Sequence, residues 1–284
     1  MEKALSDLGE NAKDTEIAFF GGSFTAIDRA YMLSLLRAAE PYAEHFYGIR
    51  ISTRPDYIDA EVLDLLKAYH VTSIELGAQS MDNSVLELND RGHTAQSVEN
   101  ASVLIKQYGF SLGLQMMTGL YGSDEEKDLY TAREFIRLKP DTVRIYPTVI
   151  LRDTCLADYY LNGTYVPYTL KQSVDLCARL ILMFTKADID IIRLGLHYSD
   201  SLIQSSLGGN YHPAFKELCE NKIFYDSFLE KAGDRKKCVA VINPKSMSKF
   251  LGQKKSNYNK LCGLGYEVEI KTDSSLGKYD LVIN

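Results

Sequence analysis

The glycine pair in Phe19-Phe20-Gly21-Gly22-Ser23-Phe24-Thr25 follows an apolar run and precedes a helical one. Backbone without Cβ lets a ligand come close, and carbonyls left free at a strand end can accept hydrogen bonds from an ammonium group. Taken alone, the pair equally suits a tight strand-to-helix turn. Ser52-Thr53-Arg54-Pro55-Asp56 reads alone as a helix start, because proline sets a first turn and aspartate favours its positive end. Glu75 and Gln79 bracket Leu76-Gly77-Ala78. A buried glutamate must be paired to stay ionised, and Arg54 or Arg144 is the expected partner of Glu75. Arg91-Gly92-His93-Thr94 reads alone as a helix capped by Thr94, with His93 in solvent. The arginines of Arg144-Ile145-Tyr146-Pro147 and Arg193-Leu194-Gly195-Leu196 either anchor a substrate or neutralise Glu75. No metal site is expected: His45, His197 and His212 do not recur at ligand spacing with cysteine or carboxylate. No Ser-His-Asp arrangement is visible either.

These residues need a frame that brings them together, and the hydropathy pattern supplies one. Short apolar runs alternate with amphipathic stretches, the pattern of βα units on a parallel sheet. Strands are expected at 17–20, 46–51, 73–76, 111–116, 142–146 and 189–194, and helices at 31–39, 60–68, 95–108, 125–138 and 170–185. In a βα barrel the carboxyl ends of the strands face one mouth. The motifs at Gly21-Gly22, Ser52 and Gly77 fall at such ends. The periodicity then breaks at Gly208-Gly209 and Asn210-Tyr211-His212-Pro213, which places a linker over 208–233.

A chain of 284 residues with 45% hydrophobic content can bury a barrel-sized core. Its five cysteines, Cys155, Cys177, Cys219, Cys238 and Cys262, are scattered singly, and no secretory segment opens the chain. That combination disfavours a disulfide framework and points to a reducing cytoplasm. No apolar run approaches membrane-spanning length. The net charge of −6 is uneven: ten lysines and one arginine against three aspartates and two glutamates leave +6 on 231–284 and −12 on the rest. Such a tail suits either polyanion binding or a solvated lysine-rich face.

In sequence and order, the motifs from about Glu16 to His197 resemble those of radical S-adenosylmethionine (SAM) enzymes. They are most similar to the branches of the Elongator catalytic subunit and oxygen-independent coproporphyrinogen oxidase. The resemblance implies that Gly21, Gly22, Ser23 and Phe24 cradle the cofactor's amino group. Gln79 and Arg91 would lie beside its ribose and carboxylate, the arginine being suited to a bidentate grip. Ser52 stands where these relatives carry an acidic residue, and Gln115 where some carry an aspartate. Tyr121 replaces the proline of a Gly-Leu-Pro-Gly turn at Gly119-Leu120-Tyr121-Gly122. Arg54, Glu75, Arg144, Tyr146 and Arg193 would sit at the barrel mouth or contact substrate. Such enzymes hold a four-iron, four-sulfur cluster on three clustered cysteines just upstream of the glycine pair, yet no cysteine precedes Cys155.

The segment 246–261 lies between strand-like Val239 to Ile242 and Glu267 to Ile270. It resembles a KH-like unit, in which a GxxG loop between two helices clamps a nucleic-acid backbone. Gly252-Gln253-Lys254-Lys255 would be that loop, with lysine replacing the second glycine, which makes Gly252, Lys254 and Lys255 the nucleic-acid contacts. The resulting architecture is α/β: a partial (βα)6 radical SAM barrel over 1–207, the linker over 208–233, and a small basic α/β module over 234–284. The implied function is reductive SAM cleavage and hydrogen abstraction by an N-terminally truncated radical SAM enzyme, with transfer RNA as first substrate. A non-catalytic RNA-binding or degenerate SAM-binding protein is the alternative, and a porphyrin-type substrate is a third.

Overall fold

The computed structural model describes residues 1–197 and 199–284. The first stretch runs α1 (Glu2–Leu8), β1 (Glu16–Phe19), α2 (Arg29–Ala43), β2 (Gly48–Thr53), α3 (Ala60–Ala68), β3 (Val71–Gln79), α4 (Asn83–Leu88), α5 (Ala95–Gln107), β4 (Ser111–Thr118), α6 (Glu125–Leu138) and β5 (Thr142–Pro147). The second runs β6 (Val149–Leu151), α7 (Cys155–Leu161), α8 (Leu170–Lys186), β7 (Asp190–Leu194), α9 (Asp200–Ser205), β8 (Ser206–Gly209), α10 (Phe215–Ala232), β9 (Lys237–Ile242), α11 (Met247–Leu251), α12 (Ser256–Gly263), β10 (Glu267–Thr272) and β11 (Leu281–Ile283). The chain divides into two compact units, 1–146 with 187–193, and 147–186 with 194–284.

In the first unit, period-2 alternation decides what each strand presents. Ile49 and Ile51 of β2, Ile74 and Leu76 of β3, Leu112 and Leu114 of β4, and Val143 and Ile145 of β5 are buried. The residues between them, Arg50, Ser52, Glu75, Gln115, Arg144 and Tyr146, share the opposite face. The strands form a curled parallel half-barrel in the order β1-β2-β3-β4-β5-β7. The helices start on side-chain caps: Asp28, Asp59, Asp82, Thr94 and Asp124 accept the backbone N–H of the third residue of α2, α3, α4, α5 and α6. Each such cap contributes about 1 kcal/mol and fixes where the preceding loop ends. The Thr94 cap, reciprocated by Ser97, agrees with the sequence reading.

In the second unit, β9 lies between β10, to which it is parallel, and β11, to which it is antiparallel. The expected linker is corrected here. Most of 208–233 is α10, whose Phe224, Phe228 and Ala232 enter one core with Cys238, Ala240, Ile242, Phe250, Leu261 and Leu281. The glycine and proline signals at 208–213 end β8 and precede a helix. They do not extend into it.

Glu220 of α10 pins this unit's last loop. Its buried side chain accepts the Tyr279 hydroxyl at 2.7 Å and meets Lys278 and Lys249 at 3.3 and 3.5 Å. Burial alone would raise its pKa, but the phenol and the two ammonium groups outweigh burial and hold the carboxyl below the ordinary glutamate range. A depressed carboxylate stabilises the fold above its unfolded pKa, and the contribution fades as pH falls through the folded value. Glu220→Gln should therefore cost about 1–3 kcal/mol at neutral pH, with the deficit shrinking as pH drops below the usual glutamate range. Denaturant unfolding of both proteins across that pH range measures it.

Candidate functional site

Glu75 is 1% exposed in the middle of β3. Its Oε1 accepts from Arg50 Nη1 at 3.1 Å and Arg144 Nη2 at 2.9 Å, and its Oε2 accepts from Arg144 Nε at 2.6 Å and Gln115 Nε2 at 2.7 Å. Gly113, its register partner on β4, leaves the needed room, since a Cβ there would come within 2.7 Å of Glu75 Cγ. Burial lowers the Arg144 pKa, but the bonds and charge of Glu75 prevail and raise it overall. Arg144 thus takes the neutralising role left open by sequence. Its guanidinium also lies 5.0 Å from the Phe20 ring centre.

Arg54 is not the partner of Glu75. It forms a two-point ion pair with Asp56 at 2.9 and 2.7 Å, because β2 has ended and the Pro55 turn brings that carboxylate back beneath it.

Above this network lies a cavity of about 450 Å³, within the usual range for small-ligand sites. Of the expected cofactor-binding residues, Gly21, Gly22, Ser23, Ser52, Gln79, Arg91 and Gln115 line it, joined by Arg54 and Tyr146. Gln115 Nε2 also donates to Ser52 Oγ at 3.1 Å, so these two polar residues, on the strands that flank β3, bond to each other. The 21–25 loop is tied to β2 by Thr25, whose Oγ1 lies 2.6 Å from Thr53 Oγ1.

Phe24 departs from its expected role. A short 3-10 turn points its ring inward, where it is buried and stacks on Phe19 at 4.8 Å, off the cavity wall. Glu75 and Arg144 form the layer beneath the cavity, and Arg193 on β7 is not among its lining residues.

Sequence reasoning missed Phe20, Asp90 and His93, which also line the cavity. His93 is buried, not solvated, with its ring nitrogens 3.1 and 3.2 Å from the carbonyl oxygens of Ala78 and Arg91. Two neighbours that could satisfy an imidazole are backbone groups, which residue type and spacing do not reveal. Burial lowers the His93 pKa from its ordinary value, against an opposing pull from both carbonyls. The Arg91 guanidinium is lowered by burial and by the charge of Arg54, and no carboxylate pairs with it among the described residues.

The arrangement fits SAM. Gly21 has φ +108°, and a Cβ on Gly21 or Gly22 would meet no atom within 4 Å, so both backbones border open space that side chains would invade. Arg91 offers an uncompensated cation for a carboxylate. The residues do not fit an iron-sulfur cluster. All five cysteines lie in the second unit, and no group of three or more His, Cys, Asp or Glu side chains able to hold a metal exists among the described residues.

In the second unit, Gly252 to Lys255 links α11 to α12. Lys254 and Lys255 are exposed in left-handed conformation, at φ +53° and +60°. Lys237, Lys271, Lys249 and Lys278 pair with glutamates, whereas Lys254 and Lys255 meet no carboxylate among the described residues.

A parallel half-barrel whose strand ends converge on one polar cavity is the architecture of the radical SAM fold. The radical SAM superfamily matches residues 1–134, and the radical SAM C-terminal domain matches 140–224. The chain belongs to the radical SAM superfamily. It is 29% identical over 188 residues to the tRNA uridine(34) acetyltransferase of Dehalococcoides mccartyi, covering 58% of this chain and 41% of that protein. Identity is 30% to its namesake in Methanocaldococcus jannaschii, with 61% and 36% covered, and 30% to human Elongator complex protein 3, with 63% and 37% covered. The chain therefore spans well under half the length of these relatives. An N-terminally deleted Elp3 of Methanocaldococcus infernus shares the fold at a TM-score of 0.68 and 23% identity, covering 82% of this chain and 58% of that one. Coproporphyrinogen III oxidase of Escherichia coli does so at 0.50 and 18%, covering 66% and 46%.

Proposed function

We propose that the half-barrel binds S-adenosylmethionine and serves radical SAM chemistry on transfer RNA. The observation that carries this reading is the convergence of five chain segments, at Gly21-Gly22, Ser52, Gln79, Arg91 and Gln115, on one cavity. The carbonyls of the glycine pair receive the cofactor's ammonium group, Arg91 its carboxylate, and Gln79 its ribose hydroxyls. Ser52 and Gln115, bonded to each other, form a neutral floor. In this superfamily a 4Fe–4S cluster supplies the electron for reductive cleavage of SAM. The thiolates that would hold it are not among these residues, so the role of this chain's own side chains is to bind and orient the cofactor. Transfer RNA as substrate is supported by the tRNA-modifying relatives. Five free thiols suit a reducing cytoplasm, and no helix among the described residues is long and apolar enough to cross a membrane.

Calorimetric titration tests the binding step. SAM should bind the parent protein, and Arg91→Ala should weaken binding by about 1.5–3 kcal/mol, the loss of a charge-assisted bond. Equal affinity in the two proteins would return Arg91 to a structural role.

The uncompensated lysines of the α11–α12 link favour a second contribution, contact with the RNA backbone. Lys254→Glu combined with Lys255→Glu should reduce transfer RNA binding without unfolding the protein, since both side chains are exposed, and binding to the parent should weaken with added salt. Filter binding at two salt concentrations reads both effects, and unchanged affinity in the double variant would leave the lysines as a solvated face.

A further inference from the structure

Ala78, Gln79 and Ser80 close a three-residue turn. The Ser80 amide donates to the Ala78 carbonyl at 2.8 Å, and Gln79 at its centre has φ +66°. A γ-turn with positive φ at a residue other than glycine is rare and strained. It directly follows an irregularity in β3, where pairing with β4 shifts register between Leu76 and Gln79. Such bulges re-aim a side chain, and this one delivers Gln79 to the cavity wall. Strained backbone persists only where its surroundings over-determine it.

Two buried side chains reach the turn from elsewhere in the chain: Thr131, whose Oγ1 lies 3.3 Å from Ser80 Oγ, and His93, which meets the turn's own carbonyl. His93 Nε2 lies 3.1 Å from the Ala78 carbonyl oxygen, the same atom that closes the turn, and Nδ1 lies 3.2 Å from the Arg91 carbonyl oxygen. Through Nε2 the imidazole, two residues after Arg91, therefore ties the loop that carries Arg91 to the backbone that aims Gln79. We propose that His93 is the positioning residue of the cofactor site: its Nε2–H, donated to the Ala78 carbonyl, holds the turn at Gln79 and docks the Arg91 loop against it. Both the Nε2–H tautomer and the protonated ring keep this donor. The proposal rests on the SAM reading for its consequence, because Gln79 and Arg91 are the two side chains placed together.

The test uses the full chain with His93→Leu, which fills the space without a donor, and His93→Gln, which restores an N–H. Relative to the parent, SAM affinity should fall about tenfold in the leucine variant, the equivalent of one lost buried hydrogen bond, and recover most of that in the glutamine variant. Amide exchange at Ser80 should accelerate in the leucine variant and return toward the parent rate in the glutamine variant. Unchanged Ser80 exchange in the leucine variant, or equal acceleration in both, overturns the proposal. A parent that fails to bind SAM would instead overturn the cofactor reading, while Ser80 exchange still decides for or against His93. Should the leucine variant fail to fold, nitrogen NMR of the parent imidazole decides: a protonated Nε2 supports the assignment, and a bare Nε2 with the proton on Nδ1 overturns it.

Discussion

An ionised carboxylate buried as deeply as that of Glu75 is tolerated only when charge and hydrogen bonds replace the lost water. Arg50 from β2, Arg144 from β5 and Gln115 from β4 provide both, so one side chain of β3 draws together the polar faces of three other strands, its two neighbours and β5 beyond β4. Removing one partner from such a buried pair typically costs about 3–5 kcal/mol, because the remaining charge has no replacement for water. The cavity inherits its floor from this network. Gln115, held by Glu75, in turn holds Ser52, and Arg144, held by Glu75, backs the ring of Phe20, which is 55% exposed at the cavity wall.

The walls follow a different rule. They are set by backbone features that few residues allow: the positive φ of Gly21, the strained turn at Gln79, and Gly92, where a Cβ would come within 2.7 Å of the Arg54 guanidinium. With Arg54 neutralised by Asp56, Arg91 lines the cavity without a carboxylate partner among the described residues, which favours a ligand bearing a carboxylate. These features support the proposed cofactor cradle, while the thiolates that the superfamily's cluster chemistry uses are not among the residues at this site.

Much of this was legible in the sequence. Short apolar runs set between amphipathic stretches located β1 to β5 and β7, and the motifs read in family order supplied most of the residues that line one cavity. The misreadings share a cause. Sequence shows residue types but not which neighbour the chain brings back: Arg54 was a plausible partner for Glu75 until the Pro55 turn gave it Asp56. Phe24 shares a motif with Gly22 but is turned into the core. His93 looked solvated because its partners are backbone carbonyls. For α10, the glycine and proline cluster at 208–213 outweighed the four-residue spacing of Phe224 and Phe228, which is the signature of a helix face packed on a core.

The central claim is that the motif segments form a single SAM site. Titrating SAM into the isotopically labelled chain and following its backbone amides tests this directly. The account predicts that the shifts concentrate at Gly21, Gly22, Ser52, Gln79, Arg91 and Gln115 and saturate with one common affinity. Saturable shifts confined to other residues, or no shifts at these six, would contradict it.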